Sequence, residues 1–177
     1  MTIKIIDTDI EGPKIIEPTV FKDNRGYFKE VYQEKEFIKF GIKDKFVQDN
    51  LSFSKKNILR GLHFQQKKAQ AKIIQVIYGE IFDVAVDVRK DSKNFGKWVG
   101  VYLNDKNHRQ LFIPEGFAHG YCVTSDTAYV YYKCSDFYYP DDEKGLMFND
   151  KSINIKWPVL SPILSDKDKK NLLLTDL

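Results

Sequence analysis

Ile81-Phe82-Asp83-Val84-Ala85-Val86-Asp87-Val88 sets Phe82, Val84, Val86 and Val88 at every second position, with Asp83, Ala85 and Asp87 between them. Successive side chains of an extended strand point to opposite faces, so this period of two predicts a strand with one apolar and one polar face. The same character recurs outward from it. Ile73–Tyr78, Trp98–Leu103, Gln110–Ile113 and Ala128–Cys134 are short runs rich in Val, Ile, Phe and Tyr. Turn signals separate the strands: Tyr78-Gly79-Glu80, Lys90-Asp91-Ser92-Lys93-Asn94 and Leu103-Asn104-Asp105. Helical patterns are confined to the flanks, at Gln33–Phe40 and Asp166–Leu174. Many short strands spaced about ten residues apart predict a mainly β sandwich or barrel rather than a parallel α/β fold.

The chain has 177 residues, of which 42% are hydrophobic, including 13 Phe, 10 Tyr and 2 Trp. That is enough to bury a sizeable core, so one globular domain over residues 1–177 is expected and intrinsic disorder is not. Lys and Arg number 28 against 25 Asp and Glu, a formal charge of +3. So mild an excess argues against a nucleic-acid-binding domain but suits a small anionic ligand. Cys122 and Cys134 are too few for a disulfide scaffold and form no Cys-x-x-Cys pattern. Lys4, Asp7 and Asp9 interrupt any apolar stretch in Met1–Ile10, so no signal peptide is read there. No apolar run approaches the roughly 18 residues that span a bilayer. The expectation is a soluble, cytoplasmic protein without a membrane or nucleic-acid partner.

Three histidines bear on chemistry. His63 lies in Arg60-Gly61-Leu62-His63-Phe64-Gln65, where a strand would put His63, Gly61 and Gln65 on one face and Leu62 and Phe64 on the other. His119 sits in Ile113-Pro114-Glu115-Gly116-Phe117-Ala118-His119-Gly120, a turn feeding an aromatic strand, while His108 reads as part of an exposed turn. His63 has no His or carboxylate nearby in sequence at ligand spacing, so no metal is expected. No glycine-rich phosphate loop or dinucleotide fingerprint occurs. In Ala128-Tyr129-Val130-Tyr131-Tyr132-Lys133-Cys134, Tyr132 shares a face with Ala128, Val130 and Cys134. A phenol on such a face is either a core hydrogen-bonding group or a positioned acid. Only four arginines occur, and Arg25 and Arg60 each precede a glycine, which suits bidentate contact with a carboxylate or phosphate as readily as a surface ion pair. Residue chemistry alone stops at a β-barrel that binds a small anionic ligand.

Read together, several stretches resemble the dTDP-4-dehydrorhamnose 3,5-epimerase family of nucleotide-sugar epimerases. They are Phe21-Lys22-Asp23-Asn24-Arg25-Gly26-Tyr27-Phe28-Lys29-Glu30, Phe46-Val47-Gln48-Asp49-Asn50 and Leu59-Arg60-Gly61-Leu62-His63-Phe64-Gln65. Gly79–Asp87, Ile113–Gly120, Trp157-Pro158 and Ile163–Asp168 follow in the same order. The resemblance implies a cupin-like jelly roll, a homodimer, no metal or redox cofactor, and a dTDP-4-keto-6-deoxy-sugar substrate. It implies His63 as base, oriented by Asp168, Tyr132 as acid on the opposite face, and Lys72 as the cation at the enolate oxygen. Around the nucleotide and sugar it implies Arg25, Glu30, Gln48, Asp49, Asn50, Arg60, His119, Glu143 and Lys167, with Tyr138 stacking on the base. Arg25 and Glu30 would act across the dimer, and Asp83 would orient Lys72 or His63. The chemistry is proton abstraction beside a C4 ketone, which needs a base, an opposed acid and an enolate-binding cation.

The chain departs from the family in carrying Lys67-Lys68 where Pro-Pro is common, in a shorter run to Lys72, and in Cys134 where Thr is usual. Strict alternation also puts Arg60 and His63 on opposite faces, so both can serve one pocket only if the strand bends at Arg60. The rival readings are a relative inverting one carbon only, a non-enzymatic sugar-binding barrel and a metal-dependent jelly-roll oxygenase.

Overall fold

The computed structural model describes residues 3–177; the first two positions of the Met1–Ile10 stretch, and of the 1–177 domain, lie outside the described residues. The strands in chain order are β1 (Ile3–Asp7), β2 (Lys14–Pro18), β3 (Val20–Asp23), β4 (Gly26–Lys29), β5 (Gln48–Lys55), β6 (Leu59–Gln65) and β7 (Lys72–Tyr78). They continue with β8 (Glu80–Asp87), β9 (Trp98–Asn104), β10 (Gln110–Ile113), β11 (Phe117–Val123), β12 (Thr127–Cys134) and β13 (Glu143–Gly145). A six-stranded sheet runs β1-β2-β10-β7-β12-β5, a five-stranded sheet runs β13-β6-β11-β8-β9, and β3-β4 form a separate hairpin. From β5 to β8 and from β9 to β13, each strand lies in the sheet opposite its predecessor. This repeated crossing of an antiparallel pair of sheets is the mainly β, cupin-like jelly roll that the resemblance implies.

The alternation in β8 is real, but both of its faces are covered. Ile81 and Ala85 join the interior cluster with Ile74, Val101, Leu111 and Val130. Phe82, Val84 and Val86 pack on the other face against Leu62, Leu146, Ile153 and the C-terminal Trp157 and Leu174. The polar positions Asp83 and Asp87 are therefore fully buried rather than solvated.

The N-terminal helix expected at Gln33–Phe40 is α1 (Glu34–Lys39), which buries Phe37 and carries Glu34 and Glu36 in its first turn and Lys39 in its last. The C-terminal expectation needs correction. Asp166–Leu174 is not a helix but holds a 3-10 turn at Asp168–Lys170, with a second at Leu174–Asp176. The intervening backbone is taken up by tertiary pairing: the Leu172 amide donates to Gly145, and the Met147 amide donates to Leu172. His108 also differs from the exposed turn expected. Asn104 Oδ1 accepts the amides of Lys106 and Asn107, and this local turn folds His108, at φ 57°, inward under the Tyr27 ring at 4.7 Å.

Candidate active site

A cavity of about 650 Å³ lies between the two sheets, within the usual range for small-molecule sites. Gln48, Asn50 and Ser52 of β5, Arg60 and His63 of β6, Lys72 of β7, His119 and Tyr121 of β11, and Tyr132 and Cys134 of β12 line it. Tyr138, Glu143, Lys167 and Asp168 close it from the C-terminal connections.

A bulge resolves the conflict between Arg60 and His63. His119 pairs with His63 and Tyr121 with Arg60, so three steps on β6 face two steps on β11. The extra residue reverses the parity of the strand and turns both side chains into one cavity. Gly61, at φ 116°, sits within it; a Cβ there would lie 2.6 Å from Gly120 Cα and from the His119 carbonyl oxygen. Only glycine fits this crossing.

His63 and Asp168, far apart in sequence, meet with Nε2 2.6 Å from Oδ1. The carboxylate comes from the 3-10 turn at Asp168–Lys170, whose first amide donates to Ser165 Oγ at 3.1 Å. Burial works against the Asp168 carboxylate, but hydrogen bonds from His63, Ser165 and the Gly61 backbone outweigh it and hold its pKa below the ordinary value. The imidazole side chain is 26% exposed, toward the cavity, and its other nitrogen is 3.9 Å from Glu143 Oε1 without a hydrogen bond. Tyr132 makes no hydrogen bond to a described residue, and burial pushes its pKa up to about 12. Lys72 begins β7 opposite Cys134, and burial pulls its pKa down.

The remaining polar groups form a connected rim. Glu143 Oε2 accepts from the Tyr138 hydroxyl at 3.1 Å and from Lys167 Nζ. The Tyr138 amide donates to Gln48 Oε1 at 3.1 Å, Gln48 donates to Asn50 Oδ1, and Asn50 donates to Cys134 Sγ. Arg60 is held by Nε donating to Ser54 Oγ at 2.9 Å. The Lys67-Lys68 loop is fixed by both amides donating to the Asp142 carboxylate.

Four expected residues stand apart from the cavity lining. Asp49 alternates to the outside of β5 and pairs with Lys133 at 2.6 Å. Arg25 lies on the β3-β4 hairpin, paired with Asp23 at 2.6 Å, and Glu30 follows that hairpin. Asp83 does not orient His63: its Oδ1 lies 2.5 Å from His119 Nε2. Ser52, Tyr121 and Ser165 also line the cavity, beyond the residues expected from the sequence. Tyr121 shares the face of His119 by period two and bonds Ser52 Oγ at 2.8 Å, so its spacing is the sequence signal for it.

Comparison with known proteins agrees with this geometry. The profile of the dTDP-4-dehydrorhamnose 3,5-epimerase family matches residues 7–176. A dTDP-4-dehydrorhamnose 3,5-epimerase of Shigella flexneri is 54% identical over 168 residues, covering 94% of this chain and 93% of its own. The crystal structure of a dTDP-6-deoxy-D-glucose-3,5-epimerase from Legionella pneumophila, in complex with dTDP-4-keto-L-rhamnose, superposes with a TM-score of 0.96 at 47% identity, covering 98% of this chain and 94% of that one. A dTDP-4-dehydrorhamnose 3,5-epimerase from Bacillus anthracis with TDP and PPi bound gives 0.95 at 48% identity, covering 97% and 99%. With its fold, its cavity and its matches all in accord, the chain belongs to the dTDP-4-dehydrorhamnose 3,5-epimerase family.

Proposed function

We propose that the protein is an isomerase that inverts C3 and C5 of dTDP-4-keto-6-deoxy-D-glucose to give dTDP-4-keto-L-rhamnose, the epimerisation step of dTDP-L-rhamnose biosynthesis. The observation that carries the reading is one cavity holding a carboxylate-bonded histidine, a phenol with no hydrogen bond among the described residues and a desolvated lysine. His63, through the nitrogen not bonded to Asp168, takes the proton from the carbon beside the ketone. The C–H electron pair moves into the C4 carbonyl, and the resulting enolate oxygen accepts a hydrogen bond from Lys72. Tyr132 returns a proton to the opposite face of the same carbon, which inverts it. Solvent then reloads Tyr132 and takes the proton from His63 before the second centre is inverted.

Arg60, His119, Lys167 and Glu143 bind the sugar and diphosphate, with Gln48 and Asn50 beside them, and Tyr138, half exposed at the rim, stacks on the base. Arg25 and Glu30 serve the site of a second subunit in a homodimer, and Asp49 acts from the adjoining edge. In support, the hairpin that carries Arg25 exposes Phe21, Tyr27 and Phe28 by 50%, 53% and 62%, surface that a partner would cover. We read the chain as one domain that works in the cytoplasm, in keeping with its two unpaired thiols.

The test is proton NMR of dTDP-4-keto-6-deoxy-D-glucose with the protein in deuterated water. Deuterium entering at both C3 and C5 is expected. Entry at one carbon would make it a single-centre epimerase, and no entry at either would overturn the reading.

A further inference from the structure

Asn171 takes no part in the proposed chemistry, yet it joins three backbone segments that meet next to His63. It closes the 3-10 turn at Asp168–Lys170, its backbone amide donating to the Asp168 carbonyl at 3.5 Å. From there its side-chain Nδ2 donates to two carbonyls, each at 3.3 Å: that of Gly61 in the β6 bulge and that of Leu146 just beyond β13. A side-chain amide nitrogen carries two hydrogens, so these two acceptors use both and fix which way the group is turned.

The turn therefore holds one residue of the bulge from both sides. The Gly61 N–H donates to the Asp168 carboxylate, and the Gly61 carbonyl accepts from Asn171, three positions further along. Gly61 lies two residues before His63, and Gly145 is the direct partner of His63 across β13 and β6. Gly145 makes room for the clamp, since a Cβ there would lie 2.7 Å from Asn171 Nδ2 and closer still to its Oδ1. The bare backbone at 145 and the amide at 171 thus fit one another. The Leu172 amide donates to Gly145 and the Met147 amide to Leu172, so the chain stays attached there without the Asn171 side chain.

We propose that Asn171 is a positioning residue for the general base, its side-chain amide locking the Asp168 turn onto the β6 bulge so that the carboxylate stays at hydrogen-bond distance from His63 Nε2. The 2.6 Å contact joins a strand to a turn far away in sequence, and the backbone ladder of the sheet does not set that distance. Tying both elements to one peptide group fixes it before substrate arrives. His119 and Asp83 lie on the directly paired strands β11 and β8 and need no such link.

This inference rests on the reading of His63 as the base, so one of its two readouts needs no substrate. In protein labelled with 15N-histidine, the Nε2 shift of each ring reports its bond to a carboxylate, assigned by the signals lost in His63→Ala and His119→Ala. In Asn171→Ala the His63 Nε2 signal is expected to move while that of His119 stays in place. With substrate, kcat is expected to fall about 10–100-fold with KM within about twofold. An unmoved His63 signal would overturn the proposal, as would an unchanged kcat or an equal movement of both histidine signals. Should Asn171→Ala fail to fold, Gly145→Ala displaces the amide with Asn171 retained and is expected to move the His63 signal alone; an unmoved signal there would overturn the proposal equally. If the unsubstituted protein inverts neither carbon, the proposed function has failed, and the His63 signal by itself decides whether Asn171 holds the pair.

Discussion

Two histidine–aspartate pairs lie side by side, since His63 and His119 are direct partners across β6 and β11. In the first, the imidazole and carboxylate side chains are 26% and 5% exposed; in the second they are 8% and 0%. The first carboxylate arrives from the C-terminal turn and is bonded from several sides, whereas the second comes from β8 and keeps one oxygen unmatched among the described residues. Near-identical contacts of 2.6 and 2.5 Å thus serve different ends. A histidine that opens to the cavity with a free nitrogen can take a proton from substrate. His119 also lines the cavity but is far less exposed and is fixed by Asp83, which suits a group that binds substrate and braces the wall. Access and the second carboxylate oxygen, not the pair itself, separate the proposed base from the proposed binding group.

Substitutions can break or sharpen this contrast. After His63 itself, the largest effect is expected at the proposed acid: Tyr132→Phe should slow inversion by about 10²–10³-fold while His63 still exchanges substrate protons with solvent. NMR in deuterated water separates the two, and inversion at the normal rate would refute the acid assignment. Next, His119→Ala strands the buried Asp83 carboxylate and should lower unfolding free energy by about 3 kcal/mol in urea titration. A change below about 0.5 kcal/mol would show that the sealed pair does not brace the fold. Gly61→Ala forces a Cβ into β11 at a positive φ and should cost at least about 1–2 kcal/mol in the same titration.

The smallest effect lies in the pH profile. Tyr132, with its pKa at about 12, stays protonated through neutral and moderately alkaline pH. Lys72, pulled down by burial, loses its charge as pH rises through a value below that of an ordinary lysine. The alkaline fall in kcat should therefore follow Lys72 and move upward in Lys72→Arg, because guanidinium remains charged. A limb unmoved by that change would assign it to another group.

Much of this was legible in the sequence, though unevenly. The alternation in β8 and the inward face of Tyr132 in β12 follow from local periodicity, and both are as read. The fact that both faces of β8 are covered was not legible, because the lid comes from Ile153, Trp157 and Leu174, far along the chain. The bulge at Gly61 appeared only as a contradiction between Arg60 and His63; its resolution depends on the register with β11. The bond between His63 and Asp168 came from the resemblance, since no local rule connects residues so distant in sequence. The expected C-terminal helix failed because Leu172 pairs with Leu146, a tertiary choice that overrides helical propensity. His108 was misplaced because an asparagine-capped turn looks polar from sequence even when it folds inward.

The most direct test of the division between the open and sealed pairs is solvent-deuterium exchange by His63→Ala at saturating dTDP-4-keto-6-deoxy-D-glucose. The account predicts that exchange at C3 and C5 falls by about 10³-fold or more while the protein keeps its thermal stability and binds dTDP. Exchange at the unsubstituted rate would mean that another group removes the proton and that His63, like His119, only binds substrate and braces the site.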